Sequence, residues 1–528
     1  MLALAVLFSA GAAYAAGHGN SPQVSANVQV NDPQHLFPND LPSRNTTTIA
    51  ASEDGQDLLA GWDDLQGFCG PPTNRACTPP AIPGISGFGF STDGGQTWTD
   101  GGSPFPVAGS QTAGHPWVDR GGDDTNPIYF FTSRMRALST GSTGIGIHRG
   151  HFGAGTFVFD DGQIINSSAP GDFYSRQAIA AAKDGSGAAY IVLSNIIREC
   201  NIDAFGWGQI EVWRTHDNGD TWQGPVVVSP DASLVTDPND PLCGAAGPFQ
   251  IAPAISIGDH GEVYVVWQYG PDTNAAGVSQ PTSKIAFSRS LDGGVTFSAP
   301  VFLVSFNNMR ENPPVGYAKN RMNDQPRIAV ATTGPNHGRI YVGFAQSLQP
   351  VSTPITVQSA VSADLALMYS DDQGQTWSTP QGILAPPPPT GIKRFWPTIA
   401  IRPGGEVDIL YLESQETQRT VNPTDEECNV PMGAGQRRRG PLSSLVDTYL
   451  VQSGDGGATF GAPIRVSDTT SSWCPATTNS YLFASFLHSN AGDYLGLATS
   501  GNRSYAVWPD SRNNFFDVFF ASVKGTNQ

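Results

Sequence analysis

Aromatic rings, guanidinium groups and carboxylates gather at one recurrent place in this chain, the two ends of a repeated strand-turn-strand unit. His115, Trp117 and Asp119, Tyr174 and Arg176, Asp324 and Gln325, Arg394 and Trp396, and Asp493 and Tyr494 stand where a first strand starts; Asp63, Glu413, Asp510 and Arg512 stand where a second strand ends. Rings stack on sugar C–H faces and charged groups fix orientation, so these residue types around a concavity suit a glycan or an anionic ligand. Each also has a structural reading, as one member of an Asp–Arg pair tying neighbouring units together. Asp510-Ser511-Arg512 has the composition of such a clamp.

The unit that must position them occurs seven times, as in IAASEDGQDLLAGW (residues 49–62), AISIGDHGEVYVVW (254–267) and TIAIRPGGEVDILYL (398–412), with further copies starting at residues 116, 178, 327 and 496. A second repeat of eight residues follows five of them: STDGGQTW, THDNGDTW, SLDGGVTF, SDDQGQTW and SGDGGATF. Its hydroxyl and carboxylate can bond nearby backbone amides, its glycine permits positive φ, and its ring packs beneath. HRGHFGAGTF (148–157) keeps the terminal Thr-Phe of that repeat without the aspartate.

The eight-residue pattern resembles the Asp-box, or bacterial neuraminidase repeat, of sialidases and related β-propellers. The resemblance implies an all-β fold, a single propeller of four-stranded antiparallel blades, and a structural role for Asp93, Asp217, Asp292, Asp372 and Asp455 on the face opposite the functional one. Seven repeats imply seven blades, or six if residues 116–160 are an insertion. The last repeat lacks a fourth strand, which residues 22–32 can supply, so residues 24–30 are expected beside 515–523, closing the ring without a free edge. One domain is then expected over 17–528.

Sialidase chemistry, carried over by resemblance, needs three arginines on a substrate carboxylate, a tyrosine nucleophile with a glutamate beside it, and an aspartate as acid/base. Arg176, Arg394 and Arg512, Tyr174 or Tyr494, Glu413, and Asp119 or Asp63 are the matching residue types. The family's Phe/Tyr-Arg-Ile-Pro signature is absent where the first blade begins, at RNTTTI (44–49). Two functions therefore stand open: a module binding a glycan or an exported or surface protein through the looped face, and an exo-sialidase or other glycoside hydrolase acting on terminal acidic sugars.

Composition narrows the partners. A net charge of −18 with five lysines leaves no broad basic face for nucleic acid. MLALAVLFSAGAAYAA (1–16) reads as a secretory signal, giving a secreted or periplasmic product, and no later run is long enough for a transmembrane anchor. The long insertions at 63–84, 195–208, 229–249, 305–323, 346–363, 413–445 and 468–490 all fall on one face and hold all six cysteines. An even number in an exported chain points to disulfides, and adjacency of the insertions pairs Cys69 with Cys77, Cys200 with Cys243, and Cys428 with Cys474. No metal-ligand spacing or calcium loop occurs, so no cofactor is expected, and the chain is expected to be a monomer.

Overall fold

The computed structural model describes residues 24–33, 43–64, 84–137, 143–166, 173–196, 208–229, 236–237, 240–244, 250–270, 281–309, 312–314, 317, 322, 324–351, 361–415, 430–432, 436–438, 445–473 and 491–526. All six cysteine side chains, and with them the three pairings, lie outside the described residues, as do the signal sequence and most of the insertions.

The fold is an all-β propeller of four-stranded antiparallel blades. Four sheets each contain four consecutive strands, innermost first. The first begins with Arg44–Ala51 and ends with Thr99–Gly102; the second runs from Trp117–Gly122 to Thr156–Asn166; the third from Phe173–Ala181 to Gln223–Val227; the fourth from Gln250–Ile257 to Val301–Asn307. The second carries one extra strand, Ser110–Thr112. A nine-stranded double sheet follows, in which a front half starting at Arg327–Val330 meets a rear half starting at Ile392–Ile401 through a single parallel pairing, Ala363 with Lys393. The closing sheet holds Gly496–Ser500, Arg503–Asp510, Asp517–Lys524 and, outermost, the N-terminal Val28–Gln29. Val28 pairs with Phe520 and Gln29 with Phe519, and Val24 bridges to Val523, so the expected closure by the chain's two ends is present.

The innermost strands touch in one circular order: Arg44–Ala51, Trp117–Gly122, Phe173–Ala181, Gln250–Ile257, Arg327–Val330, Ile392–Ile401, Gly496–Ser500, and back to Arg44–Ala51. The first alternates small apolar side chains between its two neighbours, as the period of two requires when both faces are covered. Ile49 and Ala51 pack on Tyr505, Val507 and Phe520 of the closing sheet, whereas Ala50 packs on Val118 and Phe131 of the second.

The five Asp-box turns adopt one geometry. In the first, Ser91 Oγ donates to Asp93 Oδ1 (2.8 Å) and accepts from Gly95 N–H (2.9 Å), while Thr97 donates its N–H (2.9 Å) and hydroxyl (2.6 Å) to the same carboxylate. Trp98 then packs against Phe520, ring centroids 5.2 Å apart. An arginine latch recurs on this rim: Arg149 donates to Asn218 O (2.8 Å), Arg214 to Gly294 O (2.9 Å) and Arg289 to Gln373 O, each in the next sheet's box, and Arg339 donates to Gly456 O (3.0 Å) in the box of the double sheet's rear half.

Candidate functional site

On the opposite rim the inner strands do not start cleanly. Pairing skips two residues between Asn45 and Thr48, Ser175 and Ala178, Ile251 and Ala254, and Phe395 and Thr398. The first skipped residue is left-handed each time, with φ of 56° at Thr46, 52° at Arg176, 57° at Ala252 and 53° at Trp396, and His115 has φ 56° two residues before Trp117. Such bulges re-aim a side chain, and left-handed backbone at β-branched or bulky residues costs roughly 1–3 kcal/mol apiece. The repeated bulge therefore re-aims one residue in each of these four inner strands.

At the mouth of the ring on this rim, side chains from distant parts of the chain meet on Asp493, which is 1% exposed. Tyr317 Oη donates to its Oδ1 (3.2 Å). Arg176 Nη1 stands 3.2 Å and His115 Nε2 3.7 Å from its Oδ2, the arginine at ion-pair distance without hydrogen-bond alignment. Gly492, at φ 93°, delivers Asp493 to this place; any Cβ there would strike the backbone nitrogen of Thr46. His115 is held on three sides: its N–H donates to Asp63 Oδ1 (2.5 Å), its carbonyl accepts from Gln177 Nε2, and its Nδ1 shares a hydrogen bond with Ser175 Oγ (3.3 Å). Burial pushes its imidazole down to about 3, so the ring is neutral.

Beside Asp493 lies an arginine of another kind. The Arg327 guanidinium sits 5.0 Å from the Trp117 ring and 5.2 Å from the Tyr494 ring, which are themselves 5.0 Å apart. Its polar contact is a long one, 3.4 Å to Gln325 Oε1, and among the described residues no carboxylate is within ion-pair distance of it. Burial lowers it to about 10, which still leaves a full positive charge at neutral pH. Buried charges are ordinarily paired, so this one stands out. Tyr494 donates its hydroxyl to Pro116 O (2.7 Å), and burial raises that phenol well above its ordinary value.

The other sequence candidates go elsewhere. Tyr174 is fully buried in the core beside Phe130, Ile145 and Leu193. Asp119 accepts from the backbone N–H of Ala181 (2.9 Å) and Arg120 (2.8 Å), tying the second sheet to the third. Arg394 lies between Asp364 (3.2 Å) and Glu413 (3.0 Å). Arg512 is held by Asp468 (2.6 Å) and Asp510 (2.8 Å) over the Phe519 ring, the clamp its tripeptide suggested. The three arginines named from sequence thus serve three separate sets of carboxylates. Trp396 packs among Phe395, Trp473 and Tyr317. Asp324 is buried with no cation at ion-pair distance among the described residues, accepting from Met309 N–H (2.9 Å), and burial raises its carboxyl to about 8. His115, Trp117, Arg176, Asp493 and Tyr494 do come together. Arg327 and Tyr317 were not anticipated, although Arg327 had a visible signal, a charge at the position that Thr48, Trp117, Ala178, Ala254, Thr398 and Gly496 hold in the other inner strands.

No family model and no curated protein matches the chain. Among solved structures it is similar to the α-L-arabinanase of Penicillium chrysogenum (14% identity, 74% of this chain and 94% of that one, TM-score 0.43). It is also similar to a protein of unknown function from Dyadobacter fermentans (12%, 96% and 99%, 0.41) and to the sialidase of Trypanosoma rangeli (11%, 93% and 73%, 0.39). The likeness is one of β-propeller fold.

Proposed function

We propose that this chain is an exported recognition protein that takes a glycan or protein ligand through the looped face, and that the mouth around Arg327 and Asp493 is where the ligand is read. The ring order of the inner strands supports counting each half of the double sheet as one blade, hence seven blades in all. The carrying observation is the Arg327 guanidinium, buried over two aromatic rings and, among the described residues, without a carboxylate at ion-pair distance. A ligand that brings an acidic group to Arg327, a C–H face to Trp117 and a hydroxyl to Asp493 satisfies all three, which favours an acidic saccharide.

Cleavage through a tyrosine nucleophile is the less favoured reading. Tyr174 is in the core, and burial pushes the phenol of Tyr494 up rather than down. Titration calorimetry with N-acetylneuraminate and a neutral hexose, together with a fluorogenic sialoside assayed from about pH 4 to about pH 7, tests both. The expected result is binding of the acidic sugar alone and no turnover. Equal affinity for the neutral sugar overturns the assignment to Arg327, and turnover abolished by Tyr494→Phe restores the hydrolase.

A further inference from the structure

Arg44, Arg120, Arg327 and Arg402 are the arginines buried among the described residues, and three of them have a carboxylate at hand. Arg44 meets Asp517 at 3.0 Å, Arg120 meets Asp124 at 2.6 Å, and Arg402 meets Asp408 at 3.1 Å. Arg327 instead meets an amide, its Nη2 donating to Gln325 Oε1 at 3.4 Å. Asp493 acts on Arg327 from beyond ion-pair distance and stands 3.2 Å from Arg176. The Trp117 and Tyr494 rings attract the guanidinium but carry no net charge, so they steady it without neutralising it.

Stability alone does not favour an amide at this position. Gln325 is 5% exposed, and its Nε2 is buried with no hydrogen-bond partner among the described residues. A glutamate has the same size and shape, strands no N–H, and sets a carboxylate against the buried cation; the glutamine forgoes both gains.

We propose that Gln325 sets the charge preference of the mouth: its carbonyl oxygen orients the Arg327 guanidinium and, being uncharged, leaves that positive charge for an acidic ligand. This rests on the mouth being the binding site and adds the residue that decides which ligands it takes. A carboxylate in the same place neutralises Arg327 from within the chain, and an incoming acid then faces a group of its own sign. Gln325 is thus a positioning residue that acts through Arg327.

Gln325→Glu changes the charge and keeps the shape. On the full-length protein its urea midpoint is expected to rise above wild type, while calorimetry is expected to show N-acetylneuraminate bound roughly tenfold to hundredfold more weakly. In an Arg327→Gln background the same substitution is expected to lower the midpoint, because the new carboxyl is then buried with no cation beside it. Gln325→Met, similar in size and uncharged, is expected to retain most of the wild-type affinity for the acidic sugar. A midpoint shift of the same sign in both backgrounds overturns the proposal, and so does an equal loss of affinity in Gln325→Met and Gln325→Glu, since position 325 then supplies shape rather than charge. The reversal of sign with no sugar bound by any of these proteins supports the charge arrangement and counts only against N-acetylneuraminate as the ligand.

Discussion

The two rims of the ring are built from topologically equivalent positions in opposite ways. On the Asp-box rim the same contacts recur in sheet after sheet: a Ser or Thr hydroxyl on the Asp, the third residue's partner glycine N–H on that hydroxyl, the Thr pair on the carboxylate, and an arginine reaching the next box. On the mouth rim a left-handed backbone position recurs in five of the inner-strand entries but the side chains do not, running Thr46, His115, Arg176, Ala252 and Trp396 around the ring. Repetition answers to architecture, since each sheet must make the same turn and grip the same neighbour. Variety at a shared backbone position answers to something outside the fold.

The contrast predicts opposite responses to substitution. Arg327→Gln is expected to weaken acidic-ligand binding by roughly tenfold to hundredfold while leaving stability equal or higher, because an unpaired buried charge is removed; calorimetry and a urea midpoint on the same sample read both. Loss of stability with binding intact would make Arg327 a structural residue and erase the distinction. Ser370→Ala on the other rim strands the Gly374 N–H that now donates to Ser370 Oγ (2.8 Å). It is expected to cost about 1–3 kcal/mol in unfolding free energy with ligand affinity unchanged.

Two smaller effects sharpen the same comparison through pH. The Asp324 carboxyl is raised by burial to about 8, so the unfolded chain ionises it above about 4 while the folded protein keeps the proton. Folding is penalised progressively from about pH 4 to about pH 8, and the melting temperature of Asp324→Asn relative to wild type is expected to climb over that window and then level. A flat difference would show that Asp324 folds ionised. On the Asp-box rim the sign reverses. Hydrogen bonds, those of Thr215, Thr296 and Thr376 foremost, hold Asp217, Asp292 and Asp372 at about 2. The stability they add is present above about pH 4 and is lost as pH falls toward 2. Thr376→Val is expected to lower the urea midpoint slightly at neutral pH, with the gap to wild type closing by about pH 2.

Legibility in the sequence followed the same division. The propeller class, the box turns and the closure by residues 24–30 were readable because each depends on local hydrogen bonding or on alternation within a strand, and both leave a pattern. The mouth was readable only in part. His115, Arg176 and Asp493 share a carboxylate although they lie far apart in the chain, and nothing local in Tyr174 separates a core tyrosine from a mouth tyrosine. Arg394 and Arg512 occupied suitable positions, but their cross-strand and loop carboxylates, Glu413 and Asp468, become partners only once the sheets are folded. Tyr317 carried no repeat at all, since it belongs to a connection.

The pairing of Val28 with Phe520 has a temporal consequence for the chain that makes it. Almost five hundred residues separate the two partners, so this contact must wait until all the chain between them has been made, and closing a loop of that span costs chain entropy. Until Asp517–Lys524 arrives, the opening strand has no place to dock and the ring remains a split circle with both ends exposed. A copy lacking Asp517–Lys524 carries that gap permanently, because Val28–Gln29 pairs with no other described strand.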